Sequence, residues 1–242
     1  MDRDAEPPLM KESMRSVRSG IGVAIVAALI AGCGRPVPTP ETSVAAELWP
    51  SYGHDDDGTR YSPLQDVNRG HVSQLRLAWR GHAADPLIGR PFGFETTPIA
   101  VDGTLYYTTG INRVISLDPT NGAQRWAFDP HIDLTANYRD GLINRGLATW
   151  LDEKMSVNRP CRHRIFEATL DARLIALDAI SGKPCTNFGS TGEVSSPIVR
   201  GYRAVVYHMT SRPAVADDVV IVGSSINDNV RANSVIAPRM RI

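Results

Sequence analysis

The sequence has no excess charge of either sign, because 26 lysines and arginines balance 26 aspartates and glutamates over 242 residues. Binding nucleic acid through a broad face requires a basic surface, so this balance excludes nucleic acid as the main partner. The six histidines show no paired spacing of the kind that ligates zinc. Aromatic residues make up only 7% of the chain, but a hydrophobic content of 42% is enough for a packed core and excludes global disorder.

Long hydrophobic runs are missing as well, with one exception near the start of the chain. Residues 21–32 carry no charge, but these twelve residues are too few to span a bilayer, which takes about 20. The run is typical of a secretory signal, and Ile-Ala-Gly-Cys at residues 30–33 resembles a bacterial lipobox. We therefore expect a signal segment at residues 1–33 and a periplasmic chain anchored to a bacterial membrane by lipid on Cys33. Plain secretion with a free Cys33 is the alternative.

The segment after the signal contains few apolar residues. Residues 34–48 include three prolines, which favour an extended and poorly packed tether. We expect the folded part to begin near Trp49 and to comprise residues 49–242.

A sustained apolar pattern with a 3.6-residue period is missing after Trp49, so long helices are not expected. Short runs rich in Val, Ile, Thr and Tyr, separated by turn residues, predict β-strands instead. The clearest signal is a hairpin in which Asp102-Gly103 joins residues 97–101 to residues 104–109. Further strands are predicted at residues 114–117, 124–128, 165–170, 173–177 and 219–224.

An internal repeat relates residues 114–126 to residues 174–185. Each copy has a strand, a Leu-Asp pair, a short turn closed by Gly, and the start of the next strand. The spacing of 60 residues exceeds a bare blade of about 40–50 residues, so we expect an insertion at residues 130–160. Repeated antiparallel units of this kind predict an all-β fold, namely a β-propeller with four-stranded blades. A β-sandwich with accidental similarity is the alternative.

The length of the chain limits the number of propeller blades that it can form. A ring takes at least four blades, and residues 49–242 hold material for three or four blades with large insertions. Residues 230–242 do not resemble a finished terminal strand. We therefore expect a partial, truncated propeller.

Six short segments occur in the same order as in one enzyme family. They are Trp49-Pro-Ser-Tyr-Gly with residues 59–64, and residues 94–98, 144–148, 169–174, 210–213 and 223–225. Together they resemble the quinoprotein dehydrogenases, which use pyrroloquinoline quinone (PQQ) in an eight-bladed propeller. The glucose, quinate and alcohol types are the most similar, and methanol dehydrogenase is more distant. The resemblance covers only the front part of the family's propeller.

The resemblance implies an oxidoreductase that oxidises an alcohol, sugar or polyol, with PQQ as hydride acceptor and calcium as Lewis acid. A quinone or a cytochrome would accept the electrons. Arg145 matches a family arginine and is expected to clamp a PQQ carboxylate, because a guanidinium pairs with carboxylate bidentately. Thr210 and Ser225 match hydroxyl donors to the cofactor, and Glu95 matches a glutamate at its edge. Asp228 falls where the family places an acidic calcium ligand.

The chain also departs from the family pattern. Arg139 and Asp140 stand where methanol dehydrogenases carry adjacent cysteines, and Gly141 stands where glucose-type enzymes carry a histidine. The family's stacking tryptophan and catalytic aspartate would lie beyond residue 242. We therefore assign no catalytic residue and expect no dehydrogenase turnover from this chain alone. A non-catalytic propeller lipoprotein of the outer-membrane assembly type is the alternative function.

Cysteine is scarce and odd in number, with three residues. Once Cys33 is assigned to lipid, Cys161 and Cys185 remain on either side of the predicted hairpin. Outside the cytoplasm such a pair can form a disulfide. Two buried free thiols are the alternative.

Overall fold

The computed structural model describes residues 49–81, 93–138, 140–195 and 207–225. Regular structure in these ranges consists of ten β-strands and one 3-10 helix at Val72–Gln74. The strands are β1 Ile99–Val101, β2 Thr104–Thr108, β3 Val114–Leu117, β4 Gln124–Phe128, β5 Ala148–Leu151, β6 His163–Ala168, β7 Arg173–Asp178, β8 Glu193–Ser195, β9 Ala214–Ala216 and β10 Val219–Ile221. The described ranges contain no helix that is long and apolar enough to cross a membrane.

The strands form two four-stranded antiparallel sheets and one hairpin. The first sheet has the order β1-β2-β3-β4, the second sheet has the order β5-β6-β7-β8, and β9 pairs with β10. Neighbours in each sheet are also neighbours in sequence, as expected for repeated antiparallel units. The insertion predicted at residues 130–160 is wrong in its second half, because β5 lies within it and opens the second sheet. The extra length lies in two loops, residues 129–147 and 152–162.

The two sheets pack face to face around one hydrophobic core. This core contains Ile99, Val101, Tyr106 and Val114 from the first sheet and Leu147, Ile165, Ile175, Leu177 and Ala179 from the second sheet and its flanks. The other face of the second sheet is covered too, since Phe166 and Leu174 pack with Val220 of β10. A strand that is covered on both faces buries successive side chains, which explains why β7 is buried from its second residue onward.

Two tryptophans dock onto the repeated turns. Trp126 in β4 donates from Nε1 to the carbonyl of Ala179 at 3.0 Å, and its ring lies against Gly182. Trp79 makes the same contact with the carbonyl of Pro119 at 2.8 Å. Pro119 and Ala179 occupy equivalent positions in the two repeat copies. The sequence repeat is therefore also a repeat of the contact between a tryptophan and the turn of the repeat.

Cys161 and Cys185 form a disulfide, with their Cα atoms 5.7 Å apart. The bond joins the loop before β6 to the loop before β8, and both cysteines are buried. Of the two alternatives for this pair, the disulfide is the one that the structure contains.

Candidate functional site

Arg145 lies where three segments that carry predicted site residues meet. Its Nε is 3.0 Å from Oε2 of Glu95, and its Nη1 donates to Oγ1 of Thr210 at 2.6 Å. The backbone N–H of Arg145 also donates to the carbonyl of Thr210 at 2.9 Å. Glu95, Arg145 and Thr210, which are far apart in sequence, therefore form one cluster, here called the Arg145 cluster.

The two neighbours of Arg145 set its direction. Asn144 is buried, and its Oδ1 accepts hydrogen bonds from Oγ1 of Thr108 at 2.9 Å and from the N–H of Gly146 at 2.8 Å. Its Nδ2 donates to a carbonyl at the end of β6 at 3.1 Å. Gly146 has a φ of 122°, and a Cβ there would lie only 2.9 Å from the carbonyl oxygen of Thr97. A buried amide on one side and a closely packed glycine on the other fix the backbone that presents Arg145.

The ion pair of the Arg145 cluster is partly exposed to solvent. The side chains of Arg145 and Glu95 are each 45% exposed, and an ion pair at this exposure contributes little to stability. Its main effect is to hold the guanidinium in one orientation. Arginine has five N–H donors in a planar fork. Among the described residues, Nε forms the ion pair with Glu95, Nη1 donates to Thr210, and Nη2 makes no hydrogen bond.

Ser225 lies beside the Arg145 cluster, since its backbone pairs with that of His208. The N–H of Ser225 donates to the carbonyl of His208 at 2.8 Å, and the reverse bond is 3.2 Å. His208 precedes Thr210 by two residues, so the two predicted hydroxyl donors lie on adjacent extended segments. Among the described residues, no hydrogen bond joins the side chains of Ser225 and Arg145.

The predicted calcium ligand Asp228 lies outside the described residues, as does Cys33. Within the described ranges, no group of three or more His, Cys, Asp or Glu side chains could hold a metal ion. The assignment of Asp228 to calcium therefore stays a prediction.

A contact between Asp140 and His208 was missed by the sequence reasoning. Nε2 of His208 is 2.8 Å from Oδ2 of Asp140, and His208 is fully buried while the Asp140 side chain is 44% exposed. The ring of His208 also packs edge-on against Tyr138, with 6.5 Å between ring centroids. The sequence contained one signal that His208 is buried. This histidine stands between the large apolar residues Tyr207 and Met209, just before the Thr210 motif.

Comparison with known proteins decides the family. The family described as PQQ: Glucose/ethanol/alcohol dehydrogenase, beta-propeller domain, matches residues 49–238. The chain belongs to this family. Quinoprotein glucose dehydrogenase A of Acinetobacter calcoaceticus is 32% identical over 212 residues, which are 79% of this chain and 26% of that protein. The glycerol dehydrogenase large subunit of Gluconobacter oxydans (strain 621H) is 33% identical over 80% of this chain and 26% of its own length.

Solved structures of this PQQ family give the same fold. The quinohemoprotein alcohol dehydrogenase of Comamonas testosteroni aligns with a TM-score of 0.54 and 29% identity, over 74% of this chain and 23% of that chain. The chain thus spans about a quarter of the length of the relatives that it matches. The predicted family and the all-β propeller fold are confirmed, and the β-sandwich alternative is wrong. The first and second sheets are two blades, and within the described residues the blades do not close a ring.

Proposed function

We propose that this chain binds PQQ as part of a dehydrogenase that oxidises an alcohol, sugar or polyol. The observation that carries the proposal is Arg145, which is held by Glu95 and Thr210 and whose Nη2 makes no hydrogen bond to the described residues. Membership of the PQQ family supports the cofactor. Two further relatives are named for the acceptors quinone and cytochrome c, which are the acceptor classes that we propose for this protein.

The donor set of the Arg145 cluster suits a carboxylate, and PQQ carries three. A guanidinium that stays cationic would hold one carboxylate through its free N–H edge. The hydroxyl of Thr210 accepts from Arg145, so its own proton is available for the same carboxylate. Glu95 would keep the guanidinium from rotating away, and Ser225 would supply a second hydroxyl from the adjacent segment. Bound PQQ supplies the hydride acceptor of the reaction.

The experiment is a titration of the chain with PQQ in the presence of calcium, followed by tryptophan fluorescence and equilibrium dialysis. Arg145→Gln removes the charge-assisted hydrogen bonds and is expected to raise the dissociation constant by about 10- to 100-fold. Arg125→Gln is the matched control. Arg125 is 42% exposed, lies 3.2 Å from Asp118 and bonds the hydroxyl of Thr104, so it copies the local chemistry of Arg145 on the first blade.

Each outcome of this titration bears on the proposal. Saturable binding that is lost in Arg145→Gln and kept in Arg125→Gln supports it. Equal losses in both variants contradict the assignment of Arg145. A chain that binds no PQQ contradicts the cofactor proposal and favours the alternative of a non-catalytic propeller lipoprotein scaffold.

We also propose that calcium takes part in cofactor binding, with Asp228 as a ligand, because calcium prefers carboxylate oxygen. The support is the resemblance in sequence around residue 228. A chelator added during the titration should weaken PQQ binding, and Asp228→Asn should remove that sensitivity to chelator. Binding that is identical with and without calcium would argue against the metal.

We propose that the chain is exported and held to a bacterial membrane by lipid on Cys33. The disulfide between Cys161 and Cys185 supports export, because disulfides form and persist in oxidising compartments such as the periplasm. Replacing Cys33→Ser should move the protein from the membrane fraction to the soluble fraction. Unchanged fractionation would reject the lipid anchor.

A further inference from the structure

Two segments of the chain are joined at two points around the Arg145 cluster. The first point is the bonding of Arg145 to Thr210 by side chain and backbone. The second point is the bond of 2.8 Å between Oδ2 of Asp140 and Nε2 of His208. Asp140 precedes Arg145 by five residues and His208 precedes Thr210 by two, so both points join the same pair of segments.

The geometry of the second segment places the two points on one side of it. Side chains two residues apart on extended chain point the same way and lie about 7 Å from each other. His208 and Thr210 both direct their side chains to the segment that carries Arg145. Met209, between them, packs instead with Ala168 and Ala172. The imidazole of His208 is buried and is held in place by its neighbours. The half-exposed carboxyl group of Asp140 bonds to this imidazole.

We propose that Asp140 is a positioning residue for the cofactor site. By bonding His208, it fixes the loop before Arg145 against the segment that carries Thr210, so that the guanidinium is presented to the ligand in one orientation. This inference rests on the proposed function, since it names the residue that prepares Arg145 for a PQQ carboxylate. Asp140 itself is assigned no contact with the cofactor.

The inference is tested with three variants of the full chain. Asp140→Ala removes the bond to His208, whereas Asp140→Asn keeps an oxygen that can accept a hydrogen bond from Nε2 of His208. Asp102→Ala is the matched control, because Oδ2 of Asp102 lies 2.7 Å from Nδ1 of the buried His163 and so forms a second Asp–His pair. The backbone N–H of Thr97 donates to the carbonyl of Arg145, so Thr97 lies next to the Arg145 cluster. Asp102 follows Thr97 by five residues, which is about 16 Å along extended chain. The control pair therefore lies away from the cluster.

Two readouts are measured for each variant. The first is the dissociation constant of PQQ, which should rise about five- to tenfold in Asp140→Ala, as for the loss of one hydrogen bond, and stay near the parent value in Asp140→Asn and Asp102→Ala. The second is hydrogen exchange of the Arg145 amide, which donates to Thr210. Its exchange should become at least about tenfold faster in Asp140→Ala and stay unchanged in Asp102→Ala.

The two readouts separate this inference from the proposed function. A parent chain that fails to bind PQQ overturns the proposed function, while amide exchange still decides whether Asp140 positions Arg145. Unchanged exchange and unchanged affinity in Asp140→Ala overturn the inference. Equal effects of Asp140→Ala and Asp102→Ala also overturn it, because they would show a general loss of stability rather than positioning.

Discussion

At the residue scale, Glu167 is a buried carboxyl group that is costly to keep in the core. It lies in β6 on the same face as Ile165, which packs toward the first blade, and it is fully buried. Neither carboxyl oxygen has a hydrogen-bond partner among the described residues. Burial raises the pKa of Glu167 well above the usual value, and the nearby cation of Arg173 only partly opposes this. The group is therefore protonated in the folded state where the unfolded chain would ionise it.

This raised pKa predicts a dependence of stability on pH. Below the usual glutamate pKa both states are protonated, and the side chain has no pH-dependent effect. As pH rises above that value, the unfolded state loses the proton first, so the free energy of unfolding falls by about 1.4 kcal/mol per pH unit until the raised pKa is reached. Glu167→Gln copies the neutral side chain and should become increasingly more stable than the parent as pH rises above the usual glutamate pKa.

Urea unfolding of both proteins at several pH values measures this difference. Glu153→Gln replaces an exposed glutamate and serves as the control for the loss of one carboxylate at the surface. A constant difference for Glu167→Gln would mean that Glu167 ionises normally in the folded state.

The sequence was informative about the residues that the structure brings together around Arg145, and less so about the buried residues that pack behind them. Arg145, Glu95 and Thr210 were identified because their side chains belong to short recognisable motifs. The buried position of Asn144 and the bond between Asp140 and His208 depend on loops that fold together from distant parts of the chain. Likewise, nothing in the local pattern of β6 distinguishes Glu167 from a surface residue, since an alternating strand places polar groups outward when only one face is covered.

At the element scale, the turn between the last two strands of a blade is the unit that joins blades. The ring of Trp126 lies against Gly182, where an added Cβ would come within 2.6 Å of two ring atoms. Trp126 and Tyr106 both donate hydrogen bonds to the carbonyl of Ala179, each at 3.0 Å. The turn of one blade is therefore the docking site for the preceding blade.

Gly182→Ala should destabilise the protein more than Gly103→Ala does. The two glycines have similar φ values, 69° and 63°, so each alanine has a left-handed backbone that costs about 1 kcal/mol. A Cβ at Gly103 meets nothing within 4 Å, whereas a Cβ at Gly182 meets Trp126. Overpacking adds about 1–3 kcal/mol at Gly182 alone.

A double-mutant cycle with Trp126→Ala checks the source of that difference. If the ring causes the extra loss, Gly182→Ala in the Trp126→Ala background should cost no more than Gly103→Ala. Chemical denaturation of the five proteins gives the values. Equal losses for the two glycine variants in the parent would show that the ring moves aside without cost.

Strand prediction succeeded where short apolar runs were bounded by clear turn residues. Residues 114–117 and 124–128 were predicted with the bounds that β3 and β4 have. The short strands β5, β8 and β9 were not predicted, because three or four residues carry too little pattern. Their positions are set by pairing with neighbouring strands, as β5 pairs along the longer β6.

At the scale of the whole molecule, stacked sheets and the docked Trp126 hold two blades of a propeller together, and one disulfide closes the second blade. The repeat in the sequence predicted the architecture, because each copy encodes a strand, a turn and the next strand. The pairing of Cys161 with Cys185 was left open, since spacing alone does not bring two loops together. The structure brings them together across the outer face of the second blade, which the third pair of strands, β9 and β10, also covers.

This disulfide makes the stability of the molecule depend on its compartment. The bond closes a loop with a sequence separation of 24, and a loop of this size restricts the unfolded chain by about 3–4 kcal/mol. Urea unfolding with and without reductant should show a loss of about this size on reduction. A variant with both Cys161→Ala and Cys185→Ala should resemble the reduced parent and show no response to reductant. If reductant leaves the unfolding midpoint of the parent unchanged while the thiols are shown to be reduced, the bond does not stabilise the blade, and the argument for an oxidising compartment loses its structural support.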